Sequence, residues 1–261
     1  MTAALAASHK IARASWRPLL TGAVLIGLAE AAKHANLLPV FVPSPSEVVM
    51  EIWNSPRLVT ENLAPTAWKS AMGYFIAAAI AMTAGSIAVS VRAVYGPIYN
   101  FGVIIHSIPI IATAPLLALW LGTGPQVQIA IAALASQFPM LVGTMQGLQA
   151  ADARQRELMH VLSASRVQTL WMLLIPSALP YLFAGLKIAA PSAVLGAITA
   201  EWAGADRGVG AMMLYALFSY DTPKVWLSVF LTCFLAAAGF GIWALIERLV
   251  VTWQRDVEIA D

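Results

Sequence analysis

Residue types capable of chemistry are few in this chain, and they gather in one stretch rather than around a reaction centre. Arg156–Pro180, RELMHVLSASRVQTLWMLLIPSALP, carries Arg156, Glu157, His160 and Arg166 between two proline-bounded apolar runs. Outside it, His106 stands beside Ser107 and Pro109, and Glu201 lies toward the end of a long apolar run. There is no H-E-x-x-H, no G-x-S-x-G turn and no pair of aspartates inside an apolar run. A G-x-x-x-x-G-K-[ST] phosphate loop is also missing, so the chain does not bind ATP in that way. Cys233 is the only cysteine, which excludes an internal disulfide and a cysteine-based metal site. The chemistry left to these residues is recognition. The polar stretch offers a surface to a partner, while His106 and Glu201 either line a path or make buried hydrogen bonds.

Spacing within the polar stretch predicts two short helices. Asp152 with Gln155, and Ser165 with Gln168, are cap-and-partner pairs three residues apart that start helices. The chain breaks between them at Ser163-Ala164. In the first helix Leu158, Val161 and Leu162 recur at i, i+3 and i+4 and share a face, with Arg156, His160 and Ser163 pointing elsewhere. A short helix with an apolar knob ringed by charge fits a groove on another protein. Lying on the inner leaflet as an amphipathic connector is the alternative. The second helix is expected to run from Arg166 to Ile175 and to stop near Pro176, which cannot donate to the preceding turn. Trp171 sits where an interfacial anchor belongs.

The elements that must hold this stretch are membrane helices. The chain is 60% hydrophobic and 11% charged, against about 25% charged for soluble domains, too little charge to keep a soluble surface. The net charge of +2 is too small to point to nucleic acid. Six stretches approach the roughly 20 apolar residues a span requires: Pro18–Asn36, Trp68–Val91, Ile98–Leu121, Gln126–Leu148, Leu179–Trp202 and Trp226–Val250. The first is the weakest, since Glu30 and Lys33 interrupt it; with Lys10, Arg13 and Arg17 before it, it also reads as a cleaved signal peptide. With the N-terminus inside, ten basic residues fall on the inner side (Lys10, Arg13, Arg17, Arg92, Arg154, Arg156, Arg166, Lys187, Arg248, Arg255) and five on the outer. The excess selects an N-in, C-in orientation with the polar stretch in the cytoplasm. The expected layout is an all-α integral membrane protein. It has a cytoplasmic tail over 1–17, one transmembrane domain over 18–250 and a second cytoplasmic tail over 251–261. Within the domain, 37–67 is an outer segment, 150–178 the cytoplasmic loop, and 203–224 an outer segment that dips into the membrane and returns.

Local signals refine this layout. In VPSPSEVVMEIW, Pro43 and Pro45 force an extended turn, and Ser46 reads as the N-cap of a short helix through Trp53. Pro109 and Pro115 are expected to kink the third span. Gly196 with Ala200, and Ala81 with Gly85, are small residues four apart that let helices approach closely. The fifth span is expected to use its pair against a second copy of itself.

The same polar stretch carries a resemblance. Glu157-Leu158-Met159, three residues, Ser163, nine residues, then Leu173-Leu174-Ile175-Pro176 resembles the E-A-A, x3, G, x9, I-x-L-P loop of bacterial ABC-importer permeases. VPSPSEVV, SIPIIATAPLLALWLGTG and GAITAEWAGADRGVGAMM are similar to other segments of the branch handling nitrate, sulfonates, taurine and pyrimidine or flavin precursors. In order and spacing these cover most of the chain from Pro39 onward. The departures are local. Leu158 and Met159 stand for the two alanines, and Ser163 stands for the glycine that reaches positive φ cheaply, so a looser turn is expected there.

The resemblance implies a type I ABC-importer permease fold in a bacterial inner membrane, with no cofactor and no metal. It also implies its partners: a cytoplasmic ABC ATPase dimer, an external or periplasmic substrate-binding protein, and a second permease copy, most simply as a homodimer. Glu157, Leu158, Met159, Val161, Leu162, Ser163, Ala164, Ser165 and Pro176 would form the ATPase-coupling site. Leu158, Val161 and Leu162 would fill the groove, with Ser163 to Ser165 as the elbow. His106 and Glu201 are the candidates for the translocation path. The rival reading, an ATP-independent secondary transporter or channel, calls for mid-membrane charges and repeat symmetry; most charges here sit at span ends, and no repeat is visible.

Overall fold

The computed structural model describes residues 20–39 and 41–253, and among these the regular elements are all helices. The expected tails, together with Lys10, Arg13, Arg17, Pro18 and Arg255, fall mainly or wholly outside the described residues. Helix α1 covers 20–34. It is followed by α2 (Pro45–Asn54), α3 (Pro56–Ser90), α4 (Arg92–Ser107), α5 (Ile110–Leu121) and α6 (Pro125–Gln149). The loop helices are α7 (Ala153–Val161) and α8 (Arg166–Thr169), and the chain closes with α9 (Ile175–Glu201), α10 (Val209–Phe218) and α11 (Thr222–Val250). Four helices are long and apolar enough to cross a membrane, namely α3, α6, the run Arg166–Glu201, and α11; the bent pair α4 and α5 makes a fifth candidate.

Several boundaries differ from the sequence reading, each for a physical reason. Helix α3 starts at Pro56, twelve residues before Trp68. Its first turns are polar, tied by an Arg57–Glu61 ion pair one turn apart, and so lie outside the apolar window. The third span is two helices meeting at 95°. Ile108 is extended, as the residue before a proline prefers, and Pro109 opens the second piece; Pro115 stays within α5 without ending it. The cap of α2 is Ser44, not Ser46. Ser44 accepts from the Glu47 amide, the Glu47 side chain returns to the Ser44 amide, and Pro45 takes the first helical position, where its missing N–H costs nothing.

Helix α6 is the centre of the bundle, packed on α3 along one side and α9 along another. Close approach to α9 needs glycine. A Cβ at Gly143 would press into the backbone at Tyr181 and Gly185, and one at Gly185 into the Pro139 carbonyl. The expected pairing of Gly196 and Ala200 with a second copy is not what the fold shows. Gly196 sits on Ile131, Ala132 and Ala135 of α6, and Ala200 is buried in a cluster with Ala114, Val127 and Ile131. Gly85 likewise lies against Thr144 of α6. A second cluster joins α3, α9, α10 and α11 through Leu58, Val194, Ile198, Val209, Met212 and Leu227.

Candidate functional site

The polar stretch folds as its capping residues dictate. At the start of α7 the Asp152 carboxylate accepts from the Arg154 amide and the Gln155 side chain accepts from the Asp152 amide. At the start of α8 the Ser165 hydroxyl accepts from the Gln168 amide, and Gln168 accepts in return at 2.8 Å. Both boxes satisfy amides that have no partner in a helix's first turn.

Between the two helices the chain turns at Ser163, whose φ is +56. The Ser163 amide donates to the His160 carbonyl and the Ala164 amide to that of Met159, which closes α7 with a left-handed residue in the position glycine usually takes. The turn is therefore as tight as a glycine would make it, not looser. Serine holds it at a backbone cost of roughly 1–2 kcal/mol.

The elbow presents Leu158, Val161 and Leu162 outward at 57%, 74% and 66% exposure, while Met159 is half-buried on the other side. Around this apolar knob, the side chains of Arg154, Arg156, Glu157 and Arg166 are exposed and make no ion pair among the described residues. An apolar knob beside these exposed charges is held in one shape by two capping boxes.

The helix beyond the elbow does not stop at Pro176. Leu170–Leu174 forms a π-helical turn, with the Ile175 amide donating to the Leu170 carbonyl, and α9 continues from it with Pro176 in its first turn. Widening the turn accommodates the proline without ending the helix. The run from Arg166 to Glu201 is 36 residues, about 54 Å of nearly continuous helix, so the elbow sits on one end of a lever.

The other end of the lever is a polar knot. Glu201 is 1% exposed. Its Oε1 lies 2.6 Å from Lys69 Nζ and accepts from Thr66 Oγ1 at 2.8 Å, and its Oε2 accepts from the Gly210 amide at 2.8 Å. Lys69 also donates to the Arg207 carbonyl at 3.1 Å. The Val209 amide donates to Thr66 Oγ1 at 2.8 Å and the Gly208 amide to Asn62 Oδ1 at 3.1 Å. Three consecutive amides opening α10 are thus capped by side chains from α3 and α9, with a carboxylate at the positive end of the helix.

Gly208, at φ +142, passes so close that a Cβ there would overlap the Glu201 carboxylate. In this conformation Glu201 offers no surface to a path. With the helix started at Trp68, Asn62 and Thr66 fall outside it and Lys69 stands alone at its edge; started at Pro56, the three lie at i, i+4 and i+7 and form one polar stripe.

His106 is exposed at the break between α4 and α5 and stacks on Phe138 of α6, centroids 5.0 Å apart. It borders a cavity of about 120 Å³ lined by Ile105, Ile108, Thr113 and Leu134. A larger cavity of about 360 Å³ lies beside the knot, bounded by Leu58, Asn62, Met212, Tyr215, Ser219 and Lys224. At its lip the Lys224 ammonium bonds Asp221 and holds that carboxyl below the usual carboxylate range. Among the described residues no three histidine, cysteine, aspartate or glutamate side chains gather to hold a metal.

Residues 77–252 match the family described as the binding-protein-dependent transport system inner membrane component. The chain is 29% identical over 239 residues to the formylaminopyrimidine transport permease protein of Halalkalibacterium halodurans, covering 91% of this chain and 96% of that one. It is 26% identical over 231 residues to the taurine transport system permease protein of Escherichia coli, 84% of this chain and 82% of that one. With the riboflavin transport system permease protein of Chloroflexus aurantiacus the identity is 30% over 149 residues, 57% and 56% of the two chains.

Proposed function

This chain belongs to the family of binding-protein-dependent transport system inner membrane components, and from that premise we propose that the elbow at 158–165 is the handle through which a cytoplasmic ATPase dimer drives it. The protein is a permease component of an ABC importer in the inner membrane. A cytoplasmic ATPase and an external substrate-binding protein are the partners that class of importer works with. The observation that carries the proposal is the apolar knob of Leu158, Val161 and Leu162, exposed at the root of a 36-residue helix. ATP-driven closure of the ATPases moves the knob, the lever carries that motion through the membrane, and the bundle alternates between inward-open and outward-open. Glu157 makes a polar contact at the groove, Ser163 to Ser165 set the angle of the elbow, and Pro176 lies just past the π turn where the lever leaves it. The ATPase supplies the hydrolytic site.

The orientation is N-in, C-in, with the elbow in the cytoplasm and the knot toward the outside. The ten-residue α10, about 15 Å long and too short for a bilayer core of about 30 Å, dips into the membrane between 203 and 224 and returns. A second copy of the chain completes the pore. His106, at the broken α4–α5 span, lines the path; Glu201 shapes it from behind.

The solute is a small organic molecule, and the pyrimidine or flavin precursor class is favoured. The formylaminopyrimidine permease matches over nearly its whole length, and the exposed Trp202, Tyr215, Phe218 and Tyr220 suit a flat ring. The test is co-purification of the ATPase and ATP-driven uptake of labelled formylaminopyrimidine and taurine in vesicles. Leu162→Asp and Glu157→Lys are expected to lower both co-purification and uptake at least tenfold. Unchanged co-purification and uptake would remove the elbow from the mechanism.

A further inference from the structure

A buried ion pair is an expensive way to join helices. Apolar residues of similar volume often hold as well, and Leu58, Val194, Ile198, Val209, Met212 and Leu227 already do so beside it. Nor is Lys69 needed to cap α10, because Asn62, Thr66 and Glu201 supply all three acceptors. To the directed bonds that Asn62 and Thr66 already make, Lys69 adds a charged contact with Glu201 and a tie to the turn between α9 and α10. Its ammonium, 5% exposed, bonds Glu201 at the end of α9 and the Arg207 carbonyl in the turn beyond. Directed bonds fix the rotation of α3 against α9 and the turn, which an apolar contact leaves free to slide.

We propose that Lys69 is a positioning residue for transport: by clamping Glu201 and the Arg207 carbonyl, it makes the outer end of α3, the end of α9 and the start of α10 one rigid body, so that a movement of the elbow is delivered to the outer mouth. This rests on reading the elbow as the ATPase handle. Coupling between distant sites is carried by rigid elements and directed bonds, and the lever is rigid at its far end only if the knot is. Without Lys69, the turn between α9 and α10 loses its tie to α3, and α10 and the cavity beside it follow the elbow less closely.

The test uses the purified permease–ATPase complex with Cys233→Ser, so that labelling of the permease band by a water-soluble maleimide reads only introduced cysteines. Val167→Cys, on exposed α8, reports docking at the elbow; Phe218→Cys, at the exposed end of α10, reports the outer mouth. With Lys69 intact, ATP plus vanadate is expected to change Phe218→Cys labelling at least fivefold, and the ATPase to protect Val167→Cys. Lys69→Met is expected to keep the Val167→Cys protection within twofold and to cut the Phe218→Cys response below twofold. A merely structural loss would move both reporters together.

A fivefold response at Phe218→Cys in a docked Lys69→Met complex overturns the inference. If Lys69→Met does not assemble, Lys69→Met with Glu201→Gln, which removes the ion pair while the glutamine amide oxygen can still accept from the Gly210 amide, takes its place. It is expected to lose at least half the response, and a full response overturns the inference. If even the complex with Lys69 intact shows no protection of Val167→Cys, the handle reading fails and this inference fails with it.

Discussion

The elbow and the knot stand at opposite ends of one helix and treat polar groups in opposite ways. At the elbow Arg154, Arg156, Glu157 and Arg166 are exposed and make no ion pair among the described residues, and three large apolar side chains face outward beside them. At the knot a lysine and a glutamate are almost wholly buried, and both carboxylate oxygens of Glu201 and three opening amides of α10 have partners. The first region leaves its apolar and charged groups without partners among the described residues, and on the proposed reading another protein covers it. The second is complete by itself and supports the fold. Damage at the knot therefore registers in stability, and damage at the elbow in assembly.

Gly208→Val breaks this contrast most severely. The new side chain overlaps the Glu201 carboxylate, and β-branched residues avoid the φ of +142 that Gly208 holds. Fluorescence-detected size-exclusion chromatography of membrane extracts is expected to show less than a tenth of the folded protein; a normal monodisperse peak would mean the knot is soft. Lys69→Met comes next. It leaves a carboxylate buried without its cation, a loss of about 3–5 kcal/mol, read as a lower apparent Tm of the detergent-purified protein. Lys69→Met with Glu201→Gln is expected to recover part of that loss, since the two act on one interaction.

The elbow substitutions are milder for the fold. Ser163→Gly relieves the left-handed serine and is expected to stabilise by about 1 kcal/mol with ATPase binding unchanged; a lower Tm would show that the serine side chain contributes something the backbone does not reveal. Leu162→Asp is the smallest of all in stability. As an exposed substitution it should stay within about 0.5 kcal/mol of the parent, although it is expected to lower ATPase co-purification at least tenfold. A large fall in Tm with Leu162→Asp would erase the distinction between the two regions.

Much of the elbow was legible in the sequence because its determinants are local. Asp152 with Gln155, and Ser165 with Gln168, are each three residues apart and close on their own backbones, so the two helices and the break between them follow from spacing alone. Two local rules were overridden. Pro176 did not end its helix, because a π turn widened the ladder ahead of it. Ser163 entered the left-handed region because two hydrogen bonds closing α7 outweigh its steric cost. The boundary at Trp68 failed for another reason. Hydropathy locates the apolar band, and helix α3 continues twelve residues beyond it on polar turns.

By itself the sequence determined the all-helical membrane class, the apolar cores of its spans, the two capped loop helices and the apolar knob between them. Each of these depends on composition, or on residues within about one turn of one another along the chain. Only the tertiary structure decided that Gly196 faces α6 and that α4 and α5 meet at 95°. It alone decided that Glu201 ends beside Lys69, a residue 132 positions earlier, rather than in open space. A buried charge is costly wherever it lies, and the chain states that cost plainly; which cation offsets it depends on how three helices come together, and no local spacing records that.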